Sequence, residues 1–378
     1  MPSGKYVTCP TGYKAYLPNP LPPSLNWDIN LIKALSEADM LLGRLAGEGG
    51  KLPNPHILIR PFITREAVLS SRIEGTQATL GDILADHAGA PVEVGSDDLR
   101  EVNNYILALQ YGIERLKEFP LSLRLLREIH AKLMTNVRGN HATPGEFRKS
   151  QNWIGSPGCT LANATYVPPC PDNLMDSLGE LEKFLYDKTL PPLIQIALIH
   201  YQFEAIHPFL DGNGRVGRLL ITLFLVERGI LPTPLLYLSA FFEATRQEYY
   251  DKLFAVTKNG AWNDWIIYFL NGVAGQAEDA VSRASRINLL LDKWHKETTL
   301  LSSSLPNQLI DKLAMNPYIT IKQATETMDA SYNTIARAVE KLADLGIIRE
   351  ISGSKRNRVY CAEAILKILE EPAKITAR

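Results

Sequence analysis

The stretch IHPFLDGNGRVGR, residues 206–218, is the feature that most constrains how this chain can fold. It follows LIQIALIHYQFEAI (193–206) and leads into a second segment (215–228), and both of these segments have helical periodicity. Pro208 disfavours α conformation for His207, so the first helix is expected to end there. The loop therefore opens directly onto the N-terminus of the second helix, and we predict two helices joined by a polar, glycine-rich turn.

The residue types in this loop are those of an anion site. A helix N-terminus carries unpaired N–H groups and a partial positive charge. Gly212 and Gly214 let the backbone approach an anion closely and turn its amides inward. Arg215 and Arg218 lie on one face of the first helical turn, where they oppose the helix dipole unless an anion sits between them. Because arginine matches phosphate oxygens bidentately, we predict a bound phosphate group.

Two further loop residues add chemistry to the anion site. Asp211 is the only carboxylate of the loop, and Mg²⁺ is commonly held by one or two carboxylates together with the substrate's phosphates. His207 is the side chain that titrates nearest neutral pH, which suits a general base. A lone histidine at a helix end is more often structural than catalytic, but eight polar or glycine positions at this spacing reverse that interpretation. Together they predict attack by a hydroxyl on a nucleotide phosphate.

One rival interpretation of the loop is a dinucleotide-binding fingerprint. GNGRVG (212–217) formally satisfies GxGxxG. That fingerprint requires a preceding strand and an acidic residue some 20 positions later. Here the preceding segment is helical, and PTPLLYLSA (232–240) contains no acid, so the Rossmann interpretation is excluded.

Composition excludes several other classes of protein. The chain has 378 residues with 46% apolar and 21% charged content, as expected of a globular protein with two or more domains. Its net charge of −1 creates no global field for nucleic acid or membrane. No apolar run approaches the roughly 20 residues that span a bilayer, and the N-terminus lacks a signal-peptide core. The cysteines lack CxxC spacing, so we expect neither a disulfide framework nor a zinc site, and a cytoplasmic location. They are Cys9, Cys159, Cys170 and Cys361.

Periodicity along the chain predicts a mainly α-helical protein. Residues 1–24 are expected to be an irregular arm, and PHILIRPF (55–62) is expected to break the helical pattern. NWIG and ATYV, within 152–168, predict a small β-hairpin. Helices are predicted at 28–46, 64–75 and onward through 84, from Ser96 as N-cap, and at 121–134, 173–188, 193–206, 215–228, 243–258 and 262–296.

After the long helices, the pattern of predicted elements changes in the C-terminal part. After a Ser-rich linker, a helix, a helix-turn-helix and a hairpin predict a winged helix-turn-helix. Residues 305–378 contain 11 Lys plus Arg against 9 Asp plus Glu, which is weakly basic for a DNA-binding domain. DNA phosphate contacts, a solvated face, protein binding and dimerisation all remain open for its basic side chains. These are Arg337 and Lys341 on the predicted recognition helix, and Lys355, Arg356 and Arg358 in the predicted wing.

HPFLDGNGRVGR resembles the signature of Fic-domain proteins, HxFx(D/E)GNGRxxR, at every fixed position. Members of that family are mostly α-helical and transfer a nucleoside monophosphate, usually AMP from ATP, to a Ser, Thr or Tyr hydroxyl of a target protein. The resemblance implies that His207 deprotonates this hydroxyl and that Asp211 coordinates Mg²⁺. The related phosphotransferase branch carries lysine where this chain has Gly214, which favours nucleotidyl transfer here. The implied nucleotide-binding residues of the loop are Gly212, Asn213, Gly214, Arg215, Val216, Gly217 and Arg218, with Arg215 on a phosphate and Arg218 on the γ-phosphate.

The resemblance extends to two segments outside the loop. The predicted hairpin falls where the family has a flap, which docks the target backbone by strand addition. This implies that Trp153, Ile154 and Gly155 lie near the nucleotide, although a plain surface hairpin is the alternative. Tyr249 and Tyr250 resemble a tyrosine pair near the family's adenosine pocket, with a core position as the alternative.

SSRIEG (70–75) matches the family's inhibitory pattern (S/T)xxxE(G/N). Ser70 and Glu74 are four residues apart and so share a helix face. The resemblance implies that Glu74 pairs with Arg218, so that ATP binds in an unproductive pose. It also implies that the same glutamate can support the reverse reaction, removal of AMP.

The sequence therefore predicts a Fic-type helical bundle with a small β-hairpin flap, followed by a winged helix-turn-helix domain. The expected function is autoinhibited transfer of AMP from ATP with Mg²⁺ to a target protein, the chain itself included. The alternative is a DNA-binding regulator that uses the Fic-like domain as a nucleotide sensor. A homodimer and DNA are further partners that the sequence allows, and no membrane is expected. The predicted parts are an arm and inhibitory-helix region (1–100), a catalytic domain (101–296), a linker (297–306) and a winged helix-turn-helix domain (307–378).

Overall fold

A computed structural model of the chain describes residues 2–51, 55–137, 143–156, 158–231, 234–299, 303–353 and 357–373. The protein is mainly helical with two small antiparallel sheets, as the sequence predicts. In chain order the elements are β1 (Gly4–Thr8), β2 (Lys14–Pro18), α1 (Ile29–Lys51), α2 (Pro55–Ile73), α3 (Leu80–His87), α4 (Ser96–Arg115), α5 (Leu123–Leu133), α6 (Pro171–Leu185), α7 (Pro192–Ile206), α8 (Asn213–Glu227), α9 (Ser239–Ala244), α10 (Arg246–Asn259), α11 (Trp262–Thr298), α12 (Leu305–Met315), β3 (Tyr318–Thr320), α13 (Ile321–Thr327), α14 (Tyr332–Asp344), β4 (Arg349–Glu350), β5 (Val359–Cys361) and α15 (Glu363–Glu370).

Helices α7 and α8 form the centre of the bundle. Almost every residue of both helices is buried, which is expected of helices that are apolar on all sides. They pack on each other, α7 also packs on α6 and α11, and α8 also packs on α4 and α5. The loop that joins them, 207–212, is therefore held from several sides by the core.

The N-terminal residues are a β-hairpin, so the expectation of an irregular arm is wrong. Strands β1 and β2 are antiparallel and in register, and Tyr16 of β2 is buried. The backbone N–H of Tyr16 also donates to the carbonyl of Val167 at 2.8 Å, which joins the hairpin to the body of the protein. A disulfide between Cys9 and Cys170, 161 residues apart in sequence, makes a second link and corrects the expectation that the cysteines stay unpaired.

Helix α2 runs through the segment where a break is expected. It begins at Pro55 and contains Pro61 in its interior. An interior proline costs a helix one hydrogen bond and a steric clash. The buried side chains of Phe62, Ala67 and Val68 on the same helix provide tertiary packing that offsets this cost. Pattern alone could not predict this, because the packing partners are α4, α9 and α12.

Two smaller expectations are also corrected. Ser96 is the first residue of α4 and not its cap; the N-cap is Gly95, without a side-chain hydrogen bond. The predicted hairpin at 152–168 is reduced to one antiparallel bridge, in which Ile154 and Tyr166 exchange hydrogen bonds of 2.9 and 3.0 Å. Between them the chain turns through a short 3₁₀ helix, Leu161–Asn163, which takes these residues out of strand pairing.

The C-terminal part contains α12 to α15 and a three-stranded sheet of order β3-β5-β4. Its sequence of helix, strand, two helices and two strands is the order expected for a winged helix-turn-helix, and the assignment to that class stays a prediction. Arg337 and Lys341 are exposed on α14, and Arg358 is exposed before β5. Predicted wing residues Lys355 and Arg356, and residues 300–302 of the predicted linker, lie outside the described residues. In the described part of the chain, no helix is long and apolar enough to cross a membrane.

Candidate active site

The loop after α7 has a tightly defined backbone. His207 caps α7 in the left-handed conformation, with φ 49° and ψ 61°, and Gly212 caps α8 with φ 77°. The Asn213 side chain accepts a hydrogen bond from the Phe209 N–H and donates one to the Phe209 carbonyl, both at 2.8 Å. The side chain of Asn213 thus holds the loop in shape, while its backbone begins the helix and faces the cavity.

The start of α8 provides an anion site. The first-turn amides of a helix have no intrahelical partner, and the left-handed Gly212 before them favours an inward-facing nest of N–H groups. At Gly214 a side chain would collide with the Glu74 carboxylate and with Nη1 of Arg218, so glycine permits their close approach. The carboxylate therefore lies directly against the turn on which we predict that the phosphates bind.

The Arg218 guanidinium donates three hydrogen bonds to Ser70 and Glu74, at the C-terminal end of α2. Its Nη2 donates to Glu74 Oε1 at 2.6 Å and to the Ser70 carbonyl at 3.0 Å, and its Nε donates to Ser70 Oγ at 2.8 Å. Burial alone would raise the pKa of Glu74, but the Arg218 guanidinium outweighs this and holds that pKa below its usual value. Burial alone would lower the pKa of Arg218, and the Glu74 carboxylate more than compensates, raising it above its usual value. The two groups form a buried, fully charged pair.

His207 is oriented as a neutral base. Its Nδ1 lies 3.3 Å from the carbonyl of Glu204, which can only accept, so Nδ1 carries the proton and Nε2 keeps its lone pair. Burial lowers the pKa of His207 to about 4, so the ring is unprotonated at neutral pH. The His207 carbonyl accepts from Arg148 Nε at 3.0 Å and from Asn152 Nδ2 at 3.2 Å, which fixes the strained backbone.

Asp211 and Arg215 lie close together but differ in exposure. The Asp211 side chain is 55% exposed, and its Oδ1 accepts from the Gly212 N–H at 2.6 Å. Arg215 is buried, with Nη2 at 3.8 Å from Asp211 Oδ1 and Nη1 at 3.8 Å from Glu101 Oε2. Arg215 does not line the cavity, so its position does not support the expected contact with a phosphate. Residues four apart share a helix face, which puts Arg218 on the cavity side with Gly214.

The residues near Asp211 suit a hard cation only together with a ligand. Among the described residues there is no group of three or more His, Cys, Asp or Glu side chains that could hold a metal ion. Asp211 is exposed and lines a cavity large enough for phosphates, which fits Mg²⁺ held by one protein carboxylate and substrate oxygens.

A cavity of about 790 Å³ collects most of the predicted site residues. Those that line it are Glu74, Trp153, Ile154, Gly155, His207, Asp211, Gly212, Asn213, Gly214, Arg218, Tyr249 and Tyr250. Ser70 reaches the site through Arg218, whereas Arg215, Val216 and Gly217 do not line the cavity. Trp153 and Ile154 are about 40% exposed at its mouth. Tyr249 is buried and donates a hydrogen bond of 2.7 Å to His200 Nε2.

Three residues of the site were not predicted from the sequence. Arg148 holds the His207 backbone, and Glu204 lines the cavity. His130 accepts from the Gly145 N–H at 2.9 Å through Nδ1 and donates to the Asp211 carbonyl at 3.0 Å through Nε2. A lone histidine on an apolar helix face and a lone arginine in a loop give no sequence signal, because their partners are 81 and 59 residues away, respectively.

Two models of known families match the parts of the chain that contain Glu74 and the loop 207–212. A model described as Fic/DOC family N-terminal matches residues 32–114, and one described as Fic/DOC family matches residues 120–225. Together they cover half of the chain. Curated proteins named protein adenylyltransferase Fic are similar over 140 residues, at 31% identity in Drosophila yakuba and 30% in Drosophila melanogaster. This stretch is 36% of the present chain and 26% of each relative, so the chain matches about a quarter of their length.

Solved structures share the fold at lower sequence identity. A Fic family protein from Desulfovibrio desulfuricans G20 has a TM-score of 0.60 at 20% identity, over 90% of this chain and 98% of that one. Residues 134–508 of Fic-1 from C. elegans have a TM-score of 0.51 at 23% identity, over 68% of this chain and 72% of that one.

Proposed function

The chain belongs to the Fic/DOC family, and from this premise we propose that it transfers AMP from ATP to a Ser, Thr or Tyr hydroxyl of a target protein. The observation that carries the proposal is the convergence of a neutral histidine, an exposed carboxylate, a helix N-terminus and a buried arginine on one cavity. The relatives named protein adenylyltransferase support the choice of nucleotide and acceptor.

In the proposed reaction, His207 Nε2 removes the proton of the target hydroxyl as its oxygen attacks the α-phosphorus. A bond forms between that oxygen and phosphorus, the bond to the bridging oxygen breaks, and pyrophosphate leaves. The first-turn amides of α8 hold the α-phosphoryl oxygens, and Arg218 binds the γ-phosphate. Mg²⁺ held by Asp211 would supply charge neutralisation along the phosphates. The target backbone docks beside Ile154, whose side chain is 40% exposed at the cavity mouth.

We further propose that the chain as described is the inhibited state. Arg218 cannot bind a γ-phosphate while Glu74 and Ser70 occupy its guanidinium. ATP would then bind with its phosphates displaced from the line of attack, because the Glu74 carboxylate repels them from the turn at Gly214. The same carboxylate, close to His207, is the group proposed to assist the reverse removal of AMP.

Labelled ATP with Mg²⁺ tests both parts of the proposal. In the Glu74→Gly variant we expect label on the chain itself or on a lysate protein to rise about tenfold or more over the parent chain, because Arg218 is freed. Adding His207→Ala to that variant should lower the rate roughly 10²–10⁴-fold while MgATP still binds. Absence of label in Glu74→Gly on every protein would sink the transfer reaction, and equal labelling by parent and variant would sink the inhibition.

The cytoplasm is the proposed location, since it supplies ATP and target proteins; Cys9 and Cys170 are then expected to be reduced there and to form their disulfide once the protein is purified without reductant. DNA binding through residues 307–378, formation of a homodimer and the role of a nucleotide-sensing regulator remain predictions from the sequence.

A further inference from the structure

One carboxyl group of the cavity has no part in the proposed mechanism. Glu204 lies on α7, one turn before His207, and its backbone carbonyl is the atom that orients that ring. Its side chain lines the cavity, but Oε1 is buried and has no hydrogen-bond partner among the residues that the structure describes. A buried carboxyl oxygen without a donor is costly for the carboxylate, so the Glu204 group at this cavity is expected to be the carboxylic acid.

Gly217 is explained by the same carboxyl group. A side chain at Gly217 would collide with Glu204 Oε1 and would come within 3.3 Å of His200 Cε1. Gly217 lies inside α8 with ordinary helical geometry, where glycine costs about 1 kcal/mol relative to alanine. Its role is to let the Glu204 carboxyl reach the first turns of α8, one turn beyond Gly214.

The surroundings of Glu204 keep it neutral. Burial raises the pKa of Glu204 to about 8, with Arg218 opposing the increase and Glu74 adding to it. At neutral pH it is therefore mostly a carboxylic acid, which can donate as well as accept a hydrogen bond. The titratable groups that face it are Glu74 from α2, His200 and His207 from α7, Arg218 from α8 and Tyr249 from α10.

We propose that Glu204 is a specificity-determining residue that donates a hydrogen bond to a phosphoryl oxygen beyond the α-phosphate of the bound nucleotide. The inference rests on the proposed function. The nest at Gly212 and Gly214 takes the α-phosphate beside His207. The Glu204 carboxyl, which comes from α7, lies against Gly217, one turn further along α8, and interacts with the charge of Arg218. A neutral acid donates there without repelling the phosphates, whereas a carboxylate would repel them.

Direct binding of MgATP and of AMP tests the inference without requiring transfer. We would measure both dissociation constants by calorimetry, in the parent chain and in the Glu74→Gly background. At pH 7, Glu204→Leu should weaken MgATP binding about tenfold and AMP binding less than about twofold, because only the longer phosphate chain reaches the donor. Glu204→Gln keeps a donor and should stay within about threefold for both ligands. Gly217→Ala, which displaces the carboxyl group, should resemble Glu204→Leu.

The pH dependence adds a readout that a packing role would not change. Glu204 is a donor only below its pKa of about 8, so the parent's dissociation constant for MgATP should be level up to pH 7. Above pH 8 it should rise by up to about tenfold per pH unit as the donor is lost. Glu204→Gln cannot ionise and should show no such rise between pH 7 and 9.

Several outcomes would overturn the inference. Equal losses for AMP and MgATP in Glu204→Leu, or an unchanged affinity for MgATP, exclude a donor to the outer phosphates. An alkaline rise that persists in Glu204→Gln excludes Glu204 as its source, and this comparison decides the matter even if Glu204→Leu does not fold. If Glu204→Leu loses affinity for MgATP but not for AMP, and yet no variant transfers label from ATP, the inference about Glu204 stands and the proposed function does not. Absence of MgATP binding in both backgrounds would remove both.

Discussion

Arg218 shows how a single residue connects two distant parts of the chain. Its side chain is 2% exposed, and a buried guanidinium must be paired to avoid a large desolvation cost. Its partner residues are Ser70 on α2 and Glu74 in the turn that follows α2, more than 140 residues earlier in the chain. The strength of the proposed inhibition should therefore depend on every hydrogen bond in this set and not on Glu74 alone.

Ser70→Ala should partly activate the enzyme. It removes the hydrogen bond from Arg218 Nε to Ser70 Oγ but leaves the bond to Glu74. A hydrogen bond to a charged group contributes about 1.5–3 kcal/mol, and each 1.4 kcal/mol is about tenfold, so we expect AMP transfer to rise roughly ten- to a hundredfold, but less than in Glu74→Gly. The measurement is incorporation of label from ATP under single-turnover conditions.

Ser71→Ala is the matched control for this variant. Ser71 is as buried as Ser70, but its Oγ has no hydrogen-bond partner within the described part of the chain. Ser71→Ala should therefore leave the rate of AMP transfer unchanged. Equal activation by both variants would mean that loosening of α2, and not the contact with Arg218, is responsible.

The site residues that the sequence predicted share one property: they are local. His207, Asp211, Gly212 and Gly214 lie within eight positions, so spacing alone predicts that they meet. The expected contact between Arg215 and a phosphate stays a prediction, and Arg215 does not line the cavity, because spacing does not show which face of α8 the core covers. Glu204 could not be predicted as a site residue, because its significance depends on burial and on the missing hydrogen-bond partner.

At the level of elements, helical periodicity predicted the long helices but not the short strands. Helices such as α4 and α11 carry enough repeats of an apolar face for the pattern to be read. The β1–β2 hairpin has strands of five residues, and its order depends on contacts made far away in sequence, such as the bond from Tyr16 to Val167. For the same reason residues 55–62 were expected to break the helical pattern, because the cost of Pro61 inside α2 is offset only by tertiary packing.

The Cys9–Cys170 disulfide should account for much of the stability of the hairpin. Cys9, Cys170 and Ala15 form a small buried cluster apart from the main core, so little apolar burial holds the hairpin there. In protein purified without reductant and then denatured, a thiol reagent should find the two free cysteines, Cys159 and Cys361, and four thiols after reduction. Four thiols before reduction would show that the pair is not oxidised.

A variant measures the energetic effect of this link. Cys9→Ser should lower the free energy of unfolding by roughly 2–4 kcal/mol without reductant, because the open chain gains conformational freedom, and should have little effect with reductant. Cys159→Ser, which removes a free thiol, should have no such dependence on reductant.

For the molecule as a whole, the C-terminal part packs on α2, the helix that Glu74 directly follows. Helix α12 packs on both α2 and α11, across the predicted linker, and α15 also packs on both. At the end of α15, Arg283 of α11 donates to the carbonyls of Glu371 at 2.8 Å and Pro372 at 3.3 Å. Arg65 of α2 donates to the same Glu371 carbonyl at 3.4 Å and lies 3.9 Å from Asp279. One buried charged cluster therefore joins α2, α11 and the C-terminal residues.

Arg283→Ala should be strongly destabilising, by roughly 3–5 kcal/mol, because it leaves the buried Asp279 carboxylate without the partner that lies 2.7 Å away. Arg286→Ala is the control: its ion pair with Glu371 is just as short, at 2.6 Å, but both side chains are more than 40% exposed. A solvated pair contributes about 1 kcal/mol or less, so this variant should unfold almost as the parent does. Urea unfolding followed by circular dichroism measures both. If the two variants lost equal stability, the buried cluster could not be what fastens the C-terminal residues to α2 and α11, and the apolar contacts of α12 would have to do so.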